Sequence, residues 1–370
     1  MTYFLLAIII LLLWCIYRPD IPFARRKYFG FNNKCKFCLW VSIILTTLLI
    51  IRNDYWGTDT QNYHALYNNI DDYLDIILPV ETKRDYISSE LGFFSLVHYI
   101  NKHDLGFRTL ISISAIFYVF TTSYLIYKYS ENTLFSYFLF VTYNFWVFNT
   151  TMRQCFALTF VIWLVIFAIQ KKFILYCIFI VLAVSFHVSA IVCLPLYFII
   201  NSKLTKFNIF LFFIIFCILL FVDKVQLFNM IGNLDKDYKE VAATTGYVRL
   251  AVMLIMFSMG YIYQYQMPKY CKYMTMIFLW GLILYPFVTL NPAFSRFNIY
   301  NYYFIIILAP SIVKAANINK IWLFILLVSY GCYNFTLGNK NAGVRVHPYV
   351  YYFEDYFVEN PEASRDLIVE

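Results

Sequence analysis

Charged residues are scarce in this chain of 370 residues, and that scarcity excludes most kinds of protein. Asp, Glu, Lys and Arg make up 14% of the sequence, whereas globular proteins contain about 25%. Hydrophobic residues make up 62%, which is more than a water-soluble core of this size accounts for. The chain is therefore predicted to be a polytopic membrane protein.

Motifs that would indicate other functions are also missing. The chain has no P-loop or other nucleotide motif, no internal repeat and no soluble domain. A single Cys-x-x-Cys pair, Cys35 and Cys38, lacks the second pair or nearby histidines that would make it a strong zinc signal. No Asp-x-Asp pair is placed for a metal ion. We therefore expect no metal and no other cofactor.

Twelve apolar runs follow one another along the chain, each about as long as a helix that crosses a bilayer. Their approximate limits are 2–17, 37–51, 107–127, 132–148, 154–169, 173–185, 188–200, 207–222, 247–266, 273–290, 298–313 and 320–337. The first run lacks the basic start and cleavage site of a secretion signal, so we expect it to be retained. The predicted fold is an all-α integral membrane protein with about twelve transmembrane helices, forming a single domain over residues 1–370.

The distribution of charge predicts how these helices are oriented. With twelve spans, the loops on one side have a net charge of +13, and the rest of the chain has −5. Loops rich in Lys and Arg stay on the cytoplasmic side, so both termini are predicted to face outward. The overall charge of +8 is therefore a topology signal that suits membrane lipids, and we expect no nucleic-acid partner.

All the sizeable loops fall on the predicted outward side, where loops on a rigid scaffold can form a functional site. Within the first loop, 59–67 is predicted to form a short helix with Asp59 and Tyr63 on one face. The segment 88–101 is amphipathic and too short to span, which is typical of an interfacial or re-entrant helix. The loops are 52–106, 223–246 and the C-terminal tail 338–370.

Two arginines open predicted helices on the outward side, where the positive-inside rule does not favour them. These are Arg153 in "NTTMRQCFAL" and Arg296 in "NPAFSRFNIY". A guanidinium group binds phosphate oxygens bidentately, and helix N-termini also favour anions. The pair therefore predicts a pyrophosphate site. The alternative for Arg153 is a side chain that snorkels to lipid headgroups.

Three further residues are candidates for proton transfer: Asp59, Glu90 and His187. Each has a plain structural alternative. Either carboxylate could be a helix cap or a solvated acid, and His187 could be a hydrogen-bonded structural residue. Aromatic residues make up 22% of the chain, mostly as belts at the membrane interfaces. A minority in an outward groove would suit sugars.

Five segments in this order resemble the EpsG-like family, within the broader group of Wzy-type polysaccharide polymerases. The resemblance covers roughly residues 40–310. Its marks include Gly57, Asp59 and Tyr63, the segment around Glu90, a Met-Arg-Gln motif at 152–154 and a Phe-His-x-Ser-Ala motif at 186–190. The segments are "GTDTQNYHALY", "SSELGFFSL", "NTTMRQCFALTFVIW", "LAVSFHVSAIVCLPLYF" and "SRFNIYNYY".

The resemblance implies a GT-C-like membrane glycosyltransferase at the outer face of the bacterial cytoplasmic membrane. It would join undecaprenyl-pyrophosphate-linked oligosaccharides into O-antigen, capsule or exopolysaccharide, and a chain-length regulator is an open further partner. Asp59, Glu90 or His187 would supply the base, and Arg153 and Arg296 would bind the leaving pyrophosphate. The candidate sugar contacts are Tyr63, His64, Gln154 and Tyr300.

Two other functions remain open. A flippase for lipid-linked oligosaccharide would show repeats, broken helices and ionisable groups near mid-membrane, whereas the apolar runs read as continuous and the charges lie at their outward ends. A transferase that adds one sugar or acyl group to a lipid-linked unit would use His187 and yield a modified single unit in place of a polymer ladder.

Overall fold

The computed structural model describes residues 2–20, 32–52, 58–70, 90–149, 151–202, 205–221, 246–288, 295–316 and 320–340. Within these ranges the fold is helical and has no strand. Two short 3₁₀ segments, Phe145–Asn149 and Val188–Cys193, adjoin the α-helices. The α-helices are α1 (Thr2–Tyr17), α2 (Asn33–Ile50), α3 (Thr58–Asn68), α4 (Leu91–Lys102), α5 (Phe107–Tyr129), α6 (Thr133–Tyr143), α7 (Met152–Ile169), α8 (Phe173–Phe186), α9 (Leu196–Asn201), α10 (Lys206–Phe221), α11 (Gly246–Ile262), α12 (Lys269–Val288), α13 (Ser295–Tyr302), α14 (Ile305–Ala315) and α15 (Lys320–Lys340).

Each of the twelve apolar runs contains helix, so the all-α prediction is confirmed. Among the residues that the structure describes, four helices are long and apolar enough to cross a membrane: α2, α5, α7 and α12. Several shorter apolar helices accompany them. Large apolar side chains such as Ile174, Phe207 and Trp322 are exposed on the surface of the bundle. Lipid tails would cover such a surface, and the chain is accordingly a membrane protein.

Three of the runs are interrupted, so the expectation of continuous helices is wrong there. Run 132–148 leaves the α-helical conformation after Tyr143, run 188–200 begins as a 3₁₀ segment, and run 298–313 is divided between α13 and α14. Pro195, which cannot donate a backbone hydrogen bond, immediately precedes α9. At membrane depth, irregular backbone is tolerated where protein surrounds it or where it lines a cavity.

The centre of the bundle is formed by α7 and α12. Of their apolar windows, 72% and 78% of the residues are buried inside the protein, against 39% for α2. Helix α7 packs mainly against α8, α5 and α9, and α12 against α11 and α13. A polar residue at the start of α7 is therefore surrounded by protein instead of lipid.

The two ends of the bundle differ chemically. At one end, loops that the charge pattern assigns to the basic side meet one another: Lys34 Nζ donates to the Ser130 carbonyl at 2.7 Å, and Lys314 pairs with Glu131. Helices α3 and α4 lie in the first long loop, at the opposite end of the bundle from Lys34 and Lys314. Most of the second loop and the tail from 341 fall outside the described residues.

Candidate functional site

Helix α4 delivers Glu90 to the interior of the protein. Its apolar side chains Phe93, Phe94, Val97 and Ile100 are buried, and the helix packs against α8, α5 and α3. Glu90 occupies the N-cap position, but its side chain makes no capping hydrogen bond. It is only 3% exposed. The carboxylate therefore neither caps the helix nor faces solvent, which excludes both structural alternatives.

A close contact between α4 and the end of α8 fixes the place of Glu90. A Cβ atom at Gly92 would lie 2.5 Å from Ser185 Oγ and 3.0 Å from the Ser185 carbonyl oxygen. Only glycine allows the two backbones to approach this closely without displacement. His187 follows two residues after Ser185, so this contact brings Glu90 and His187 together.

The Glu90 carboxylate accepts three hydrogen bonds. Arg153 Nη1 lies 2.6 Å from Oε2, and His187 Nδ1 lies 2.5 Å from Oε1. The backbone N–H of Val188 donates to Oε1 at 3.2 Å. This N–H is available because α8 ends at Phe186 and a new 3₁₀ segment begins at Val188, and the first N–H groups of a helix have no partner within it.

These partners determine the ionisation of Glu90. Burial by itself raises the pKa of Glu90, but the hydrogen bond with His187 and the positive charge of Arg153 outweigh burial, so the pKa lies below its usual value. Glu90 is therefore an anion at neutral pH. An ionised carboxylate only accepts hydrogen bonds, which assigns the hydrogen between the two groups to His187 Nδ1. In the neutral ring, Nε2 is then the nitrogen that can accept a proton.

Arg153 lies between Glu90 and two aromatic rings. Its guanidinium carbon is 5.4 Å from the centre of the Tyr63 ring and 5.7 Å from that of Phe93, and Nε lies 3.4 Å from the Tyr63 hydroxyl. The side chain is 22% exposed. Since the guanidinium group pairs with a carboxylate inside the protein, the snorkelling alternative is wrong.

The next residue of α7 connects this network to α13. Gln154 Nε2 donates to the backbone carbonyl of Arg296 at 2.6 Å, while the Arg296 side chain is exposed. Successive helix residues point about 100° apart, so Arg153 and Gln154 contact different neighbours. Ser189 Oγ and the Tyr300 hydroxyl are 3.0 Å apart, which ties α13 to the segment that follows His187.

Two of the predicted site residues contact other parts of the protein, and the side chain of a third is not described. His64 packs against Phe107 with ring centres 4.9 Å apart and lies 3.3 Å from the Asn68 amide. Tyr300 is fully buried, which leaves its ring no open face for a sugar, and its hydroxyl instead bonds the side chain of Ser189. Asp59 lies in the first turn of α3, but its side chain is outside the described residues.

Three contributors to the site were not predicted. Phe93 completes the aromatic environment of Arg153, the Val188 N–H binds Glu90, and Ser189 holds Tyr300. The helix break that frees the Val188 N–H lies in the link between runs 173–185 and 188–200, but the sequence does not show which group that N–H binds. Within the described ranges, no group of three His, Cys, Asp or Glu side chains is arranged to hold a metal ion.

We expect a Gly92→Ala substitution to lower the catalytic turnover of the protein by a large factor while it lowers the melting temperature only modestly. The added methyl group forces α4 away from Ser185, an overpacking that costs about 1–3 kcal/mol, and it moves Glu90 away from His187. The measurement is specific activity beside the melting temperature of the purified protein. A suitable control is Gly106→Ala, because no atom lies within 4 Å of a Cβ there, although its φ of +80° makes that change strained as well. Wild-type activity in Gly92→Ala would show that the close contact is unnecessary.

A model of the EpsG family matches residues 37–351 of the chain. No curated protein and no solved structure matches it. The match spans the whole site described above, from Tyr63 to Tyr300, and confirms the resemblance seen in the sequence. The chain therefore belongs to the EpsG family and is a membrane protein of polysaccharide biosynthesis.

Proposed function

We propose that the protein is a Wzy-type polysaccharide polymerase with a GT-C-like bundle of about twelve spans. Its substrate is an undecaprenyl-pyrophosphate-linked oligosaccharide at the outer face of the cytoplasmic membrane. The main support is the network of Glu90, Arg153 and His187. Gln154, the residue after Arg153, bonds the backbone carbonyl of Arg296, whose side chain is exposed. Together these residues combine a carboxylate–histidine pair with cationic groups at the end of the bundle opposite the basic loops.

The proton transfer is assigned to His187. Glu90 accepts three hydrogen bonds and has a lowered pKa, and a carboxylate becomes a weaker base as its pKa falls. His187 is held by Glu90 through Nδ1, so its Nε2 accepts the proton of the attacking sugar hydroxyl. Glu90 orients the ring and stabilises the imidazolium that forms, the division of roles seen in other carboxylate–histidine pairs. Asp59 stays a candidate for a second acidic group.

The bond changes are those of a glycosyl transfer. The hydroxyl oxygen of the acceptor unit forms a bond to the anomeric carbon of the donor chain, and the bond from that carbon to the pyrophosphate oxygen breaks. The proton passes to His187, and undecaprenyl pyrophosphate leaves as an anion. The pyrophosphate linkage supplies the driving force, so no nucleotide is needed.

The two arginines have different parts in this proposal. Arg296 has an exposed side chain and lies in the first turn of α13, where the helix N-terminus also favours an anion. It makes the first contact with the pyrophosphate. Arg153 already pairs with Glu90 and supports the developing charge from within the protein. Of the residues expected to contact the sugar, His64 is partly exposed and is the proposed contact. Tyr63 and Gln154 are buried, so their proposed role is to support Arg153 and the backbone of Arg296.

A deletion strain complemented with plasmid-borne variants tests the function. With wild-type protein, gel analysis of surface polysaccharide should show a ladder of repeat units. With His187→Ala it should show only a core bearing a single repeat, while the exposed His103→Ala control restores the ladder. Membrane levels of each variant are measured in parallel. A full ladder from His187→Ala at normal protein levels would contradict the assignment.

The interrupted helices favour a second candidate, a flippase for the same lipid-linked unit. Broken helices whose ends face a substrate are typical of transporters, and the 3₁₀ segment at the start of run 188–200 directly follows His187. In the same strain, loss of a flippase would remove single repeats from the outer face as well as the ladder. Single repeats that persist without a ladder favour the polymerase. A transferase that adds one sugar or acyl group would leave the ladder present and alter the mass of each repeat.

A further inference from the structure

A second buried polar cluster lies beside the site and has no part in the chemistry above. It consists of Arg52, Thr60, Arg108 and Asn149, here called the anchoring cluster. Arg52 and Thr60 are fully buried, and Asn149 is 1% exposed. Burying a polar group costs free energy unless the group forms hydrogen bonds. The contacts within this cluster therefore favour one specific arrangement of the backbone.

The cluster joins four chain segments. Arg52 follows α2, and its Nη1 lies 3.1 Å from Asn149 Oδ1. Arg108, in the first turn of α5, donates to the carbonyl of Arg52 at 3.0 Å and also to that of Ile50. Thr60 Oγ1, in the first turn of α3, donates to the backbone carbonyl of Asn149 at 3.1 Å. The end of α2, the start of α5, α3 and segment 145–149 are thereby held together.

Two of these segments carry residues of the site. Asn149 ends the 3₁₀ segment four residues before Arg153, and Thr60 lies about one turn before Tyr63 on α3. Arg153 and Tyr63 contact each other. The Thr60–Asn149 bond and the Tyr63–Arg153 contact are therefore successive links between α3 and the start of α7. The guanidinium carbon of Arg52 also lies 5.5 Å from the centre of the Phe148 ring. This contact is a second link between Arg52 and the 3₁₀ segment.

We propose that Arg52, Thr60 and Asn149 are positioning residues that set where Arg153 and Tyr63 lie relative to Glu90. The segment they hold is the interruption between α6 and α7, where no continuous helix transmits position from one helix to the next. Arg52 acts through Asn149, and Thr60 acts both through Asn149 and through α3. The effect on turnover rests on the polymerase function proposed above, whereas the anchoring itself does not.

Thr60→Val tests the proposal because it removes one hydroxyl and keeps the shape of the side chain. Thr275→Val is the matched control, since Thr275 is equally buried and its hydroxyl bonds within α12 to the Cys271 carbonyl. Hydrogen–deuterium exchange of the purified full-length proteins, without substrate, is followed in peptides that cover 145–155. We expect at least about threefold faster exchange there in Thr60→Val and no change in Thr275→Val. Unchanged exchange in Thr60→Val would overturn the anchoring.

Kinetics on lipid-linked oligosaccharide separate positioning from plain stability. A positioning role predicts that Thr60→Val lowers kcat by roughly tenfold, with KM within about twofold and an unchanged melting temperature. In a Tyr63→Phe background the further loss should be small, because residues that act through one contact are not additive. Wild-type kcat in Thr60→Val, or fully additive losses, would overturn the positioning role. If the wild-type protein forms no polymer while Thr60→Val still exchanges faster than wild type at 145–155, the proposed function is refuted and the anchoring is supported.

Discussion

A Glu90→Gln variant is expected to keep its fold and lose about 10²- to 10⁴-fold in turnover, the range that a positioned acid–base system contributes. The carboxylate serves three donors at once, from Arg153, His187 and the Val188 backbone. A glutamine has one acceptor oxygen, and its NH₂ group would face a donor. Either the tautomer of His187 or the pairing of Arg153 is then lost. Turnover is measured on purified protein with a lipid-linked oligosaccharide.

Glu131→Gln provides the matched control for that experiment. Glu131 pairs with Lys314 and accepts a hydrogen bond from Tyr270 at 3.0 Å. Burial by itself raises its pKa, but its bonds to Lys314 and Tyr270 outweigh burial and lower it, as at Glu90. It lies at the opposite end of the bundle, so loss of this ion pair should leave turnover within about twofold, as surface pairs contribute little. Equal losses in the two variants would mean that Glu90 is structural.

Replacement of Arg153 by Met is expected to lower turnover by about 10²- to 10³-fold, comparable to the removal of one electrostatic stabiliser of a transition state. The change leaves the Glu90 charge without its cation and removes positive potential from the start of α7. Arg153→Lys should recover only part of the rate, because an ammonium group neither forms a planar fork nor stacks on rings as guanidinium does. The partial recovery is measured as kcat on the same substrate.

Arg249→Met serves as the control for Arg153. The Arg249 guanidinium carbon lies 5.6 Å from the centre of the Tyr302 ring, so this variant also removes a cation from an aromatic face. Its contact is with Tyr302 on α13, and it should retain turnover within about threefold if the loss at Arg153 comes from the site. A loss as large as that of Arg153→Met would indicate a general effect of removing cations from this end of the protein.

The lengths of the apolar runs predicted most of the helices. Runs such as 107–127 and 154–169 coincide with α5 and α7, because helices that face lipid or a large core must be apolar along their whole length. The interruption after Tyr143 was missed, since the residues around it are as apolar as the rest. The end of α8 at Phe186 agrees with the predicted link between runs 173–185 and 188–200. Only Pro195 gave a local signal of irregular backbone.

The sequence predicted which residues form the site better than it predicted the contacts between them. Arg153, Glu90 and His187 stood out because ionisable groups at helix ends in an apolar chain are costly. Glu90 can bridge Arg153 and His187 because α4 and α8 pack closely at Gly92. This packing cannot be predicted from the spacing of residues along the sequence. Tyr300 was assigned to sugar binding from its sequence segment, but its burial under Ser189 follows from the tertiary packing of α13.

Reconstitution of the purified protein into liposomes with a lipid-linked oligosaccharide tests the polymerase proposal most directly. The product is analysed by mass for chain length, and released undecaprenyl pyrophosphate is counted against new glycosidic bonds. The proposal predicts oligomers on the lipid carrier, one released carrier per bond formed, and neither product with Glu90→Gln. Oligosaccharide that keeps its original length while it moves between the leaflets would contradict the proposal and identify a flippase.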